Sequence, residues 1–146
     1  MQYRNIFNRI DPAIAGWMNR YGQSILRYSL AVIFIWFGGL KVAGISPAAM
    51  LVQRTIYFFD PQTFPVILGW WEVLIGVSLL FRPLLRTAIL LLFLQMPGTF
   101  LPLILLPDIC FTDFPFGLTL EGQYIIKNLV LISAGLVIGG TVRKRQ

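Results

Sequence analysis

The chain has 146 residues, of which 57% are hydrophobic and only 12% are charged, and its mean hydropathy is +0.75. A soluble domain carries about 25% charged residues, so this composition excludes an ordinary soluble protein and indicates an integral membrane protein. The net charge of +6 does not indicate a nucleic-acid partner, because the basic residues are distributed as a topology signal. The absence of histidine excludes histidine acid-base catalysis, the usual haem ligation and most transition-metal sites.

The first predicted element is a short amphipathic helix near 12–22. Asp11-Pro12 is a helix-start signal, and apolar residues then recur at helical spacing from Ile14 to Tyr21. This helix lies either on the membrane interface or packed back against the rest of the protein. Gly22 is expected to end it.

Four apolar segments follow, each of about 20 residues, which is the length needed to cross a hydrocarbon core of about 30 Å. They lie near 24–44, 64–81, 84–106 and 124–142. Between the first two, Ser46-Pro47 repeats the start signal and predicts a second interfacial helix near 47–59, partly covering the outer mouth of the bundle. The predicted fold is all-α: an integral membrane four-helix bundle in a single domain of residues 1–146.

The basic residues predict the orientation of the bundle. Nine of the twelve lie before or near the start of the first span, in or beside the turn between the second and third, or after the fourth: Arg4, Arg9, Arg20, Arg27, Arg82, Arg86, Arg143, Lys144 and Arg145. Acidic residues such as Asp60 and Asp108 lie in the opposite loops. Because cytoplasmic loops carry the excess of Lys and Arg, both termini are predicted to be cytoplasmic.

Glu72 is the most informative residue, since a carboxylate inside a membrane span costs roughly 2.5–3.5 kcal/mol even on lenient insertion scales. It shares its helix face with Gly69 and Gly76, and small residues mark the face that packs on other helices. Lys41 and Lys127 interrupt the first and fourth spans. Each lysine either meets Glu72 in the outer half of the bundle or extends its amine to the headgroups.

These residues predict a polar pocket in the outer half of the bundle. Gln95 lies near the middle of the third span, where Pro97-Gly98 is expected to kink the helix and widen the pocket. The candidate ligand-binding residues are Lys41, Glu72, Gln95, Lys127, Trp36 and Trp71. In the alternative interpretation, Glu72 only fixes helix register with one lysine, and the tryptophans are packing or interfacial residues. No catalytic or metal-binding residue is predicted.

Cys110 is the only cysteine, so the chain cannot form an intrachain disulfide. It falls in the second outer loop, either as a packed thiol or as one that pairs with a partner or responds to oxidants. The sequence also lacks a phosphate-binding glycine loop, a serine nucleophile motif and zinc-ligand spacing. We therefore do not expect a self-contained enzyme.

Three segments resemble the DoxX-like superfamily of small bacterial membrane proteins, and within it the YkgB/RclC branch. They are Arg27-YSLAVIFIWFGGL-Lys41, Gly69-WWEVLIGVSLL-Phe81 and Tyr124-IIKNLVLISAGLV-Ile138, which place the charged positions at Lys41, Glu72 and Lys127. The resemblance implies a protein of the bacterial inner membrane. Some DoxX-like proteins are quinone-linked subunits of sulfur-compound oxidoreductases, and others are associated with resistance to oxidants. The outer loop after the first span is shorter than in that branch.

Three functions stay open at this stage. The preferred one is a redox-associated protein that binds a quinone or similar amphiphile, without haem, and supports oxidant defence or a partner oxidoreductase. The second is a small proton-coupled transporter or exporter. The third is a structural or assembly subunit of a membrane complex, in which the charged residues only fix helix register. The expected partners are the lipid bilayer and either a partner oxidoreductase subunit or further copies of the chain.

Overall fold

Within residues 2–56 and 59–142, the computed structural model contains seven α-helices, one 3-10 turn and one small hairpin, with side chains described from residue 11. The elements are α1 (Gln2–Val42), α2 (Ala49–Thr55), α3 (Thr63–Leu80), the 3-10 turn (Arg82–Leu84), α4 (Leu85–Leu105), α5 (Pro107–Cys110), β1 (Phe111–Asp113), β2 (Gly117–Leu118), α6 (Leu120–Ile126) and α7 (Asn128–Gly139). About 80% of the structure is helical. The residues 143–145 of the topology signal, and the side chains of Arg4 and Arg9, lie outside this described part.

Four helical segments are long and apolar enough to cross a membrane, which confirms the predicted number of spans. They are Asp11–Val42, Thr63–Leu80, Arg82–Leu105 and Leu120–Gly139. Large apolar side chains on these segments point away from the bundle, among them Trp70 at 60% exposure and Val130 at 65%. Such outward apolar surfaces suit contact with lipid, because they would be unfavourable in water.

The helix at the N-terminal end differs from the prediction. The expected interfacial helix near 12–22 is not a separate element, because α1 continues through Pro12 and Gly22 without a break. A Cβ at Gly22 would meet nothing within 4 Å, and Gly44 is the only described glycine with a positive φ. One glycine costs roughly 1 kcal/mol in a helix, which is too little to interrupt a helix of 41 residues that is already nucleated.

The first half of α1 also does not pack back on the bundle. All side chains from residue 11 to 21 are exposed, including Ile14 and Trp17 of the apolar stripe. At 1.5 Å per residue, α1 is roughly 60 Å long, about twice the thickness of a hydrocarbon core. Its N-terminal part therefore extends beyond the length that a membrane span requires.

The core of the bundle is apolar and draws on four helices. Buried side chains come from α1, α3, α4 and α7: Leu30, Ala31, Phe34, Ile75, Leu79, Leu85, Ala88, Leu92, Met96, Ala134 and Ile138. On α3 the buried positions include Glu72, Ile75, Gly76 and Leu79, which share one face at three- and four-residue spacing. The prediction that Glu72 lies on an inward face is confirmed.

The segments that join α1 to α3 and α4 to α6 lie at one end of the bundle, which we call the loop end. The predicted interfacial helix near 47–59 is the shorter α2, and residues 57–58 lie outside the described part. Asp60 caps α3, since its Oδ2 accepts hydrogen bonds from the backbone N–H groups of Gln62 and Thr63. A hydrogen bond from the side chain of Thr63, together with these backbone bonds, lowers the pKa of the Asp60 carboxyl.

The second loop contains a short β-hairpin, the one departure from an all-α fold within the described residues. β1 and β2 pair antiparallel, with Phe111 opposite Leu118. A Cβ at Gly117 would lie 2.7 Å from Thr112 Oγ1, so the hairpin closes only around a glycine. Aromatic side chains pack on one another in this loop, since the ring centroids of Phe111 and Phe114 are 5.1 Å apart.

Candidate functional site

The carboxylate of Glu72 is the centre of a buried polar cluster. Its Oε2 accepts a hydrogen bond from Lys41 Nζ at 2.6 Å, and its Oε1 accepts one from Gln95 Nε2 at 2.8 Å. The three residues come from α1, α3 and α4, and each is at least nine-tenths buried. We call Lys41, Glu72 and Gln95 the polar cluster.

Two glycines bring Lys41 and Glu72 together. A Cβ at Gly38 would lie 2.5 Å from the carbonyl oxygen of Gly69, and a Cβ at Gly69 would lie 2.7 Å from that of Gly38. Each charged residue follows the glycine of its own helix by three positions, so it packs on the glycine of the other helix. The backbones of α1 and α3 therefore touch beside the ion pair, as in helix contacts built on small residues.

The ion pair is held in an apolar setting. Removing two charges from water is costly, and their attraction repays this only with good geometry and further hydrogen bonds. Here both carboxylate oxygens have a donor, and the Lys41–Glu72 pair is the one salt bridge among the described side chains. Such a pair is sensitive to the loss of either member.

Gln95 is incompletely satisfied. Its Nε2 donates to Glu72, whereas its Oε1 is buried and has no hydrogen-bond partner. A buried polar atom without a partner typically costs about 1–3 kcal/mol, so natural proteins keep few of them.

A cavity of about 530 Å³ lies at the loop end and contains the whole polar cluster in its lining. Its other lining side chains are mostly apolar and come from α1, α2, α3, α4, α6 and α7: Ile33, Phe34, Phe37, Ala48, Leu51, Val52, Ile56, Phe64, Ile67, Leu68, Leu94, Met96, Pro102, Ile125 and Leu131, with Thr55, Trp71, Thr99, Tyr124 and Asn128 as the further polar members. Volume and lining match small-molecule sites, which are mainly apolar with a few placed polar groups. We call it the loop-end cavity.

The cavity is not sealed inside the bundle. Ile67 of α3 and Leu94 of α4 both line it and are more than half exposed. Gly98, one turn beyond Leu94, also lines it, and a Cβ there would meet nothing within 4 Å. Lining residues on α3 and α4 are therefore also part of the surface that carries the outward apolar side chains.

The structure does not bring Lys127 into the polar cluster, which corrects the expectation that all three charged side chains meet. Lys127 lies at the junction of α6 and α7, is exposed, and places its Nζ 5.2 Å from the ring centroid of Tyr124. The turn at this junction directs the neighbouring Asn128 toward the cavity. The geometry favours the alternative in which Lys127 reaches the headgroup region.

Of the two candidate tryptophans, only one lines the cavity. Trp36 is 65% exposed, lies on the outward face of α1 and does not line the cavity. Trp71 is half-buried, lines the cavity and donates its Nε1–H to the carbonyl oxygen of Leu91 at 3.2 Å. This bond fixes the indole between α3 and α4.

Several lining residues were not singled out from the sequence. The helix α2 bounds the cavity through Leu51, Val52 and Thr55. This position agrees with the prediction of an interfacial helix that partly covers the outer end of the bundle. Tyr124 and Asn128 flank Lys127, and Phe37 stacks on Tyr124 with ring centroids 6.4 Å apart. The amide of Asn128 beside a charged position was the only sequence signal for this side of the site.

Cys110 is fully buried, which agrees with the interpretation of its side chain as a packed thiol. Its thiol donates to the carbonyl oxygen of Pro102 at 3.4 Å. Burial, and to a smaller extent the negative charge of Glu121, raises the pKa of the Cys110 thiol. The thiol is therefore poorly disposed to act as a nucleophile.

No group of three or more His, Cys, Asp or Glu side chains that could hold a metal ion occurs in the described part of the chain. Comparisons with protein-family models, curated proteins and solved structures find no match for the chain.

Proposed function

We propose that the chain is a bacterial inner-membrane protein that binds a quinone or similar amphiphile in the loop-end cavity and supports oxidant defence or a partner oxidoreductase. The observation that carries the proposal is the combination of an apolar cavity with a buried ion pair and an unpartnered amide oxygen at Gln95. An amphiphile has the matching parts: an apolar body and a polar end.

Access from the bilayer supports this ligand class. Ile67 of α3 and Leu94 of α4 belong both to the cavity lining and to surface that suits lipid, so we expect a molecule dissolved in the membrane to enter beside them without crossing water. The aromatic side chains of Phe37, Trp71 and Tyr124 offer flat surfaces for a quinone ring. A water-soluble substrate would gain little from such walls.

The proposed orientation has both termini in the cytoplasm, following the positive-inside rule, with the loop end outside. The cavity then lies in the outer half of the bilayer. The resemblance to DoxX-like proteins, and to the YkgB/RclC branch in particular, links such a site to quinone-dependent redox partners and to oxidant resistance.

The proposal is tested by purifying the protein from membranes and extracting bound lipids for chromatography with ultraviolet detection. We expect an isoprenoid quinone to co-purify with the native chain, and expect the Glu72→Gln variant, at equal abundance, to carry less of it and to lower oxidant tolerance in cells. Quinone content and tolerance that are unchanged in Glu72→Gln would remove the polar cluster from the function.

The architectural alternative is favoured by one specific observation, the contact of Gly38 and Gly69 beside the ion pair. If the polar cluster only fixes the register of α1 and α3, Glu72→Gln lowers the abundance of the protein, and the exchange of Lys41→Glu with Glu72→Lys restores part of it.

The transporter alternative predicts uptake that depends on a pH gradient in vesicles.

A further inference from the structure

Arg27 of α1 is a buried cation without an anionic partner. The residue is 8% exposed, and its guanidinium has no salt bridge or hydrogen bond within the described part of the chain. Of its three nitrogens only Nε is both buried and unpartnered, so the two terminal nitrogens are accessible at the surface. The guanidinium carbon lies 4.5 Å from the ring centroid of Tyr28, which is itself 47% exposed.

The contact between α1 and α3 fixes the level of Arg27. The carbonyl oxygen of Ala31 would lie 2.8 Å from a Cβ at Gly76, and the glycine contacts show that the two helices run antiparallel. Four residues back from Ala31 and four forward from Gly76 lie Arg27 and Leu80, the last residue of α3. With 18 residues, α3 is about 27 Å long, close to the thickness of a hydrocarbon core. Arg27 therefore lies near the membrane boundary opposite the loop end, which we call the turn end because Arg82–Leu84 join α3 to α4 there.

No acidic side chain neutralises Arg27 from within the chain. The six acidic residues are Asp60, Asp108, Asp113 and Glu121 at the loop end, Glu72 in the polar cluster, and Asp11, which precedes Arg27 by 16 residues, or roughly 24 Å, on the same helix. The C-terminal end of α3 attracts a cation only weakly. The turn end instead carries two further cations, the exposed side chains of Arg82 and Arg86.

A phosphate group matches this position. A guanidinium donates two parallel hydrogen bonds to phosphate oxygens, and the two accessible terminal nitrogens of Arg27 provide such a pair. The phosphates of membrane lipids lie beside the hydrocarbon boundary, which is the level of Arg27, and basic pockets at this level bind anionic headgroups. We propose that Arg27 and the turn end form a binding site for the headgroup phosphate of an anionic phospholipid.

The charges at the turn end favour a lipid with net negative charge. Phosphatidylglycerol carries only its phosphate charge, whereas phosphatidylethanolamine adds an ammonium group that Arg82 and Arg86 repel. The acyl chains of the lipid lie against the apolar outer surface of the bundle, as those of inorganic phosphate cannot, since it has none. We therefore expect phosphatidylglycerol to be preferred over both.

Native mass spectrometry of the full chain in detergent measures this preference on the unaltered protein. The chain is titrated with phosphatidylglycerol or with phosphatidylethanolamine of the same acyl chains, and the dissociation constant of the first bound lipid is compared. We expect phosphatidylglycerol to bind at least about tenfold more tightly. An excess of inorganic phosphate should not displace it.

Two variants locate the preference at Arg27. Arg27→Gln removes the charge and should weaken phosphatidylglycerol binding at least about tenfold. Arg27→Lys keeps the charge, which makes it the variant less likely to disturb folding, but it cannot donate two parallel bonds and should weaken binding about threefold. The matched control is Arg20→Gln, which removes the same charge from an exposed position of the same helix and should change the affinity less than about twofold.

Three results would overturn the site. They are equal affinities for the two lipids, displacement of phosphatidylglycerol by inorganic phosphate, and losses in the Arg27 variants no larger than in Arg20→Gln, which would show a diffuse attraction to basic side chains. Because no quinone enters these titrations, such a failure leaves the ligand of the loop-end cavity to its own test.

Discussion

The ion pair of Lys41 and Glu72 is the feature on which single substitutions act most strongly. Both partners are buried in an apolar region; Lys41 donates to Glu72, and Glu72 accepts hydrogen bonds from Lys41 and Gln95. Removing one partner of a buried pair typically destabilises a protein by about 3–5 kcal/mol, whereas replacing both with apolar residues is often close to neutral. The two charges are therefore strongly coupled.

We predict that Lys41→Met and Glu72→Met each lower the midpoint of unfolding in a denaturing-detergent titration. The double variant should be more stable than the sum of the single losses implies, because no charge is left unpaired. The same titration on all four proteins gives the coupling free energy. Losses that simply add would show that the two side chains do not interact.

Cys110 is predicted to be inert in the native protein. Its thiol is buried and held by Pro102, and its raised pKa means that less thiolate is present at any pH near neutrality than for a free cysteine. A maleimide at pH 7.5 should label the folded chain far more slowly than the chain in sodium dodecyl sulfate. Equal labelling rates in the two conditions would contradict the buried position.

At the scale of elements, the contact between α1 and α3 is set by backbone proximity. Gly38 and Gly39 are adjacent in sequence but differ in surroundings: a Cβ at Gly38 would lie 2.8 Å from the backbone nitrogen of Val73, whereas one at Gly39 would meet nothing within 4 Å. The pair therefore forms a matched comparison within one turn of one helix.

We predict that Gly38→Ala destabilises the protein by roughly 1–3 kcal/mol, since the added methyl forces α1 and α3 apart. Gly39→Ala should be neutral or stabilising by up to about 1 kcal/mol, because alanine is the better helix former and the space is open. Thermal unfolding in detergent, followed by circular dichroism, measures both. Equal effects of the two substitutions would refute the close contact.

The elements also show what a single sequence determines. Four spans, and the inward position of Glu72, follow from hydropathy and from small residues at three- and four-residue spacing. The continuity of α1 did not follow, because Gly22 and Pro12 are local signals and a long helix overrides them. The short strands β1 and β2 depend on a close approach at Gly117 that no periodicity reveals.

The sequence predicts those members of the site that a buried charge requires. It does not predict members whose inward or outward direction depends on the rotation of a helix. A carboxylate in an apolar span requires a partner, so Lys41 and Gln95 were within reach of inference. Whether Lys127 or Asn128 faces inward depends on the turn between α6 and α7, and one residue changes the direction by about 100°. The direction of Trp36 likewise depends on the rotation of α1, which places this side chain on the outward face.

At the scale of the whole molecule, the four spans enclose an apolar core at one end and a cavity at the loop end. Gly98 lines this cavity and has open space where a Cβ would stand, so Gly98→Leu adds bulk to the site. Gly39 also has open space but is not a lining residue, which makes Gly39→Leu the matched control.

Native mass spectrometry of the detergent-purified chain and of these two variants measures occupancy of the cavity directly. We expect an adduct with the mass of an isoprenoid quinone or quinol on the native chain and on Gly39→Leu, and a clearly smaller fraction of it on Gly98→Leu. A native chain that carries no such adduct, or an adduct that Gly98→Leu leaves unchanged, would contradict a ligand held in the loop-end cavity.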